Sequence, residues 1–96
     1  MDIQTEGNTI NIDGNIKSVS DYTEIQSHLQ ALVNGGKDTV TVNVNDSISI
    51  TSSVIGIFLK VIKKDGVNLS LKVGNQHLYD LLNELNLLAV FNVRKI

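Results

Sequence analysis

The stretch TVTVNVNDSISITSSVIGIFLKVIKKDGVNLSLKV, residues 39–73, decides the fold. Its first six residues, Thr39 to Val44, alternate Val with Thr and Asn, the period of a strand that buries one face. A polar step, Asn45-Asp46-Ser47, leads through Ile48 and Ile50 to Thr51-Ser52-Ser53. The period then changes, and a helix is predicted from there to about Lys64, ended by Asp65-Gly66. Val67 to Val73 alternates again as a strand. A strand, a helix and a strand of these lengths read as a βαβ unit with parallel strands.

The same reading extends outward in both directions. Ile3 marks a short first strand, Glu6-Gly7-Asn8 a turn, and Thr9 to Ile12 a second strand, broken by Asp13-Gly14-Asn15. A first helix is predicted to start near Ser20 or Asp21, where Asp21 and Glu24 have the spacing of a capping box. Tyr22, Ile25, Leu29, Leu32 and Val33 form its apolar stripe, and Asn34-Gly35-Gly36 stops it. Beyond Val73, Gly74-Asn75 opens a third helix with Leu78, Leu81, Leu82 and Leu85 as its buried stripe, and Leu88 to Val93 reads as a last strand. The expected order is β-β-α-β-α-β-α-β: an α/β fold with a mixed, mostly parallel sheet covered by helices on one face or both. Residues 1–96 read as one domain, with no repeat or linker.

Composition narrows the function. With 42% hydrophobic residues and only Tyr22, Phe58, Tyr79 and Phe91 as aromatics, the core must be aliphatic. The net charge is −2, from eight basic and ten acidic residues, with no basic block beyond Lys63-Lys64. Nucleic acid would call for clustered cations and stacking aromatics, so it is not the expected partner. There is no cysteine, hence no disulfide or thiol chemistry. His28 and His77 share no metal-ligand spacing, and neither a metal nor a cofactor is expected. No phosphate-binding glycine loop or nucleophile elbow occurs, so the sequence predicts a binding protein and not an enzyme. Met1-Asp2-Ile3-Gln4 lacks the basic and apolar regions of a signal peptide, and the longest apolar run, Val54 to Leu59, is too short to span a bilayer. A cytoplasmic protein without membrane insertion is expected.

The second helix is the place to look for function. At about 100° per residue, Val54, Ile55, Ile57, Phe58, Leu59, Val61 and Ile62 fill a wide apolar arc. Ser52, Ser53, Gly56, Lys60, Lys63 and Lys64 gather in the remaining one. Small residues at the start of that exposed strip let a partner backbone approach. They also leave first-turn N–H groups accessible to an anion such as a phosphate on serine. A structural reading stands beside this one: Thr51 or Ser52 is an N-cap, and Gly56 marks tight packing against the sheet.

Residues Asn43 to Gly56 resemble the signature of the STAS domain, known from bacterial anti-sigma-factor antagonists and anion transporters. That signature runs approximately Asp/Asn-Leu-Ser, several residues, then Asp-Ser-Ser-Gly-Leu-Gly, and it aligns here without a gap. Gly14 after the second strand and the order of elements fit as well. Thr51 and Val54 stand where the signature has Asp and Gly. The resemblance implies a partner switch in which Ser52 accepts phosphate from a serine kinase that is also the anti-sigma factor. Thr51, Ser53, Val54, Gly56 and Lys60 would form the docking surface for that partner. Divergent members imply an alternative, an unphosphorylated subunit of an ABC-type lipid transporter or of a stressosome-like scaffold.

Overall fold

Alternation along the strands sorts the molecule into two layers. The computed structural model describes residues 1–96, in the order β1 (Asp2–Glu6), β2 (Thr9–Asp13), α1 (Val19–Asn34), β3 (Thr39–Val44), α2 (Ser52–Lys63), β4 (Asn68–Val73), α3 (Gln76–Glu84) and β5 (Val93–Lys95). The five strands form one sheet in the order β1-β2-β3-β4-β5. β1 is antiparallel to β2, and β2 to β5 are parallel. Successive crossovers all step the same way, which with a constant hand puts all three helices on one face. Burial agrees: Ile10, Ile12, Val40, Val42, Val44, Leu69, Leu71 and Val73 point into the core. The alternate positions, among them Thr9, Asn11, Thr41, Asn43, Asn68, Ser70 and Lys72, form an open polar face.

The core is one continuous cluster of 21 buried residues. Phe58 of α2 meets Phe91 edge to face, with ring centroids 5.6 Å apart and planes at 83°, a favourable geometry for aromatic quadrupoles. Truncating Phe58 would cost about 3–5 kcal/mol, since both the transfer and the cavity terms apply.

Three boundaries differ from those read in the sequence. α1 begins at Val19, just before the expected start near Ser20 or Asp21. Ser18 is its N-cap, and the capping box joins Ser18 to Asp21, not Asp21 to Glu24. Ser18 Oγ accepts from the Asp21 N–H at 3.1 Å, and Asp21 Oδ2 accepts from the N–H groups of Ser18 at 3.1 Å and Lys17 at 3.0 Å. Aspartate thus takes the return arm usually given to Glu or Gln. Leu85 is the C-cap of α3 and is exposed, so the stripe that meets the core is Leu78 and Leu82, fully buried, with Leu81 partly buried beside them. Residues 88–92 are not a strand but a turn, and β5 follows at Val93. Asn86 and Asn92 both have positive φ, 59° and 49°. After each, an N–H reaches back five residues, Leu87 to the Leu82 carbonyl at 2.9 Å and Val93 to the Leu88 carbonyl at 2.8 Å. These are two Schellman closures in succession, with Asn in the place more often held by Gly.

Candidate functional site

The carboxyl ends of β2 and β3 hold two loops that clamp each other and fix where α1 and α2 begin. Ser47 is fully buried. Its Oγ accepts from the Ile16 N–H at 3.0 Å and donates to the Ser49 carbonyl at 2.7 Å. Asp46 Oδ1 accepts from the Gly14 N–H at 2.6 Å, and Asn15 Oδ1 from the Ile48 N–H at 3.1 Å. Asp13 Oδ1 accepts from Asn45 Nδ2 at 2.8 Å. Asp13 and Asp46 therefore lie at the same end of the sheet, each carboxylate engaged by its own donor. No cluster of three or more His, Cys, Asp or Glu side chains is placed to hold a metal.

This clamp brings the N-termini of α1 and α2 together. Between them lies a groove of about 400 Å³ lined by Lys17, Ser18, Val19, Tyr22, Thr51 and Ser53. Its only charged lining residue is Lys17. The nearest carboxylate on α1, Asp21, is turned toward its own cap. Its pKa is lowered, chiefly by the backbone hydrogen bond from Lys17, against a desolvation that acts to raise it, with further help from Ser18. The groove therefore carries one cation, Lys17, and one strongly exposed apolar side chain, Val19, which is 82% exposed.

The residues singled out in the sequence separate here into two kinds. Thr51 is the N-cap of α2: half-buried, it accepts through Oγ1 from the Val54 N–H at 3.3 Å. That resolves the choice between Thr51 and Ser52 and leaves Ser52, the first helical residue, with a free hydroxyl. Ser52, Ser53, Gly56 and Lys60 are exposed on one side of the helix, and no side-chain hydrogen bond ties down Ser52, Ser53 or Lys60. Nothing stands within 4 Å of where a Cβ on Gly56 would lie, so that glycine does not serve tight packing against the sheet. Val54 is the correction: it is completely buried in the core and offers no side chain to a docking partner. A branched apolar residue three positions after the cap meets the sheet, which is why the apolar arc begins with it.

Lys17, Ser18, Val19 and Tyr22 form the half of the groove that a reading of α2 alone does not supply. One signal was available. Val19 falls off the apolar stripe of α1, and an apolar residue there faces solvent unless something covers it. His28 is half-buried, with Nδ1 2.5 Å from Thr5 Oγ1 beside a smaller groove of about 260 Å³. His77 is exposed on the first turn of α3.

No helix is long and apolar enough to cross a membrane. No model of a known protein family matches the chain, and no curated protein matches it.

Proposed function

We propose that the joined N-termini of α1 and α2 are a protein-docking surface switched by phosphate on Ser52, as in anti-sigma-factor antagonists of the STAS type. One observation carries the reading. The strip Ser52, Ser53 and Gly56 stands free of structural duty beside a groove that carries the exposed Val19 and a single lysine, Lys17. The order of elements, β-β-α-β-α-β-α-β in a mixed sheet, supports a STAS-like topology.

The switch follows from charge. A phosphoryl group on Ser52 adds roughly two negative charges at the first turn of α2. There the unbonded N–H groups and the helix dipole favour them, and a partner seated over neutral small residues would be displaced. The partner is a protein, a serine kinase that doubles as an anti-sigma factor.

A second reading rests on Thr51. An N-cap threonine in place of the signature aspartate removes an acidic neighbour of the phosphoacceptor, which favours an unphosphorylated subunit of a lipid transporter or stressosome-like scaffold. Purification from the source cell with phosphosite mapping by mass spectrometry separates the two. Phosphate on Ser52 with a kinase-like partner is the expected result. An unmodified Ser52 with a permease or scaffold partner would replace the first reading with the second.

A further inference from the structure

The sheet ends in two edge strands of opposite charge. β1 carries Asp2 and Glu6 and no base, while β5 carries Arg94 and Lys95 and no acid, and all four are exposed. Charges that serve only to keep sheets apart work best with one sign on both edges, so that every edge repels every other. Here each edge attracts the other and repels its own kind.

Backbone direction and face agree with the charges. β2 to β5 are parallel and β1 opposes them, so β1 of one copy beside β5 of another makes an antiparallel pair. The two-residue turn Gly7-Asn8 makes Glu6 and Thr9 a hydrogen-bonded pair, and alternation then turns the N–H and C=O groups of Ile3 and Thr5 outward. On β5, Ile96 N–H donates inward to the Val73 carbonyl at 2.8 Å, and Val93 N–H is taken by Leu88. Alternation along that ladder leaves the N–H and C=O of Lys95 and the C=O of Val93 facing outward.

We infer that the chain associates head to tail, edge strand β5 of one copy adding to edge strand β1 of the next. One register satisfies every outward group but one: Ile3 opposite Lys95, Gln4 opposite Arg94, and Thr5 opposite Val93. Arg94 then lies on the open polar face, where its diagonal neighbours are Asp2 and Glu6, within reach of a long side chain. Ile3 and Val93, both half-buried, meet on the helix side beside the stem of Lys95. The turn before Val93, with Val90 43% exposed, comes toward the groove beside Thr5. Two β1 edges would oppose carboxylates and two β5 edges would oppose cations, so a closed two-fold dimer is disfavoured. The contact is heterologous and leaves an edge free at each end, which makes an open series.

The test is sedimentation equilibrium of the whole chain from about 10 μM to about 1 mM. The expected result is an average mass that rises with concentration past two copies and falls back in about 0.5 M salt, where the Debye length shrinks to a few ångström. Arg94→Glu with Lys95→Glu is expected to be monomeric, and so is Asp2→Lys with Glu6→Lys. An equimolar mixture of these two variants regains association, since each acidic edge again meets a basic one. A chain carrying all four reversals associates like the wild type. A wild type that stays monomeric throughout, a mass that stops at two copies, or variants that stay apart when mixed would overturn the inference. None of these outcomes bears on Ser52, so the docking reading stands or falls separately.

Discussion

The loop that follows β3 and the exposed side of α2 are neighbours in sequence and opposites in physics. In the loop nearly every polar group is engaged: Ser47 binds Ile16 and Ser49, Asp46 binds Gly14, and Thr51 caps α2. On the helix, one turn away, Ser52, Ser53 and Lys60 bind nothing. Residues of the first kind make the fold, and residues of the second kind are left over for something else. The contrast has a sharp test in glycine. Gly74 lies against the backbone of Asn45, and a methyl group there would overlap the Asn45 carbonyl while Gly74 N–H holds the Val44 carbonyl at 2.9 Å. Gly74→Ala is expected to cost roughly 3 kcal/mol or more, because backbone on both sides must shift. Urea unfolding measures it. A loss below about 1 kcal/mol would show that this end of the sheet is far more pliant than the clamp implies.

Ser47 gives the next largest effect. Ser47→Ala removes the acceptor for the Ile16 N–H inside the core and frees the Ser49 carbonyl. A buried donor left without a partner costs about 1–3 kcal/mol. The lower midpoint should come with faster amide exchange at Ile16, read by NMR. Unchanged exchange there would mean that another group satisfies Ile16, and the two loops would then not be clamped through this hydroxyl.

The same contrast explains what the sequence discloses. Strands β3 and β4 and helix α2 are legible because each has a full burial pattern, Val40-Val42-Val44, Leu69-Leu71-Val73 and the apolar arc of α2. The one-sided sheet is not, because local alternation gives a buried face without saying whether helices or water meet the other. The 88–92 turn is missed for a different reason. Leu88, Val90 and Phe91 look like a strand, and only the left-handed conformations of Asn86 and Asn92 fold them into a turn that buries Phe91. At the site, the exposed strip of α2 is readable from the wheel, whereas its partner surface on α1 depends on how two helices meet and is written in no local pattern. Val54 misleads because a linear motif does not record which way its residues point.

Asp21 tests the start of α1, with a smaller expected effect. Its carboxylate accepts two N–H bonds, so Asp21→Ala should cost about 1 kcal/mol at neutral pH. The pH dependence has a definite sign. The folded-state pKa lies below the unfolded one, so the charged form stabilises the fold. That increment is whole above the ordinary carboxylate range and fades as the pH falls through the lowered pKa. The stability gap between wild type and Asp21→Ala should therefore narrow on acidification when melts are compared across the acid range. A gap that widened instead would assign the carboxylate a raised pKa and dissolve the capping box.

The smallest effects on stability belong to the strip itself, and they separate its two readings most cleanly. Gly56 sits mid-helix with open space around it, so Gly56→Ala should raise stability by about 0.5–1 kcal/mol through chain entropy alone. Ser52→Ala should change it by no more than about 0.5 kcal/mol. Ser52→Asp should gain a few tenths of a kcal/mol, a negative charge at a helix N-terminus being favourable. A residue so nearly neutral for folding is free to be selected for contact, and Ser52→Asp is then expected to keep the melting temperature and lose the partner. If Ser52→Asp unfolds the chain by more than about 1 kcal/mol, Ser52 carries structural weight that Thr51 was thought to carry alone. Any loss of binding would then report a damaged helix start and not a switched surface.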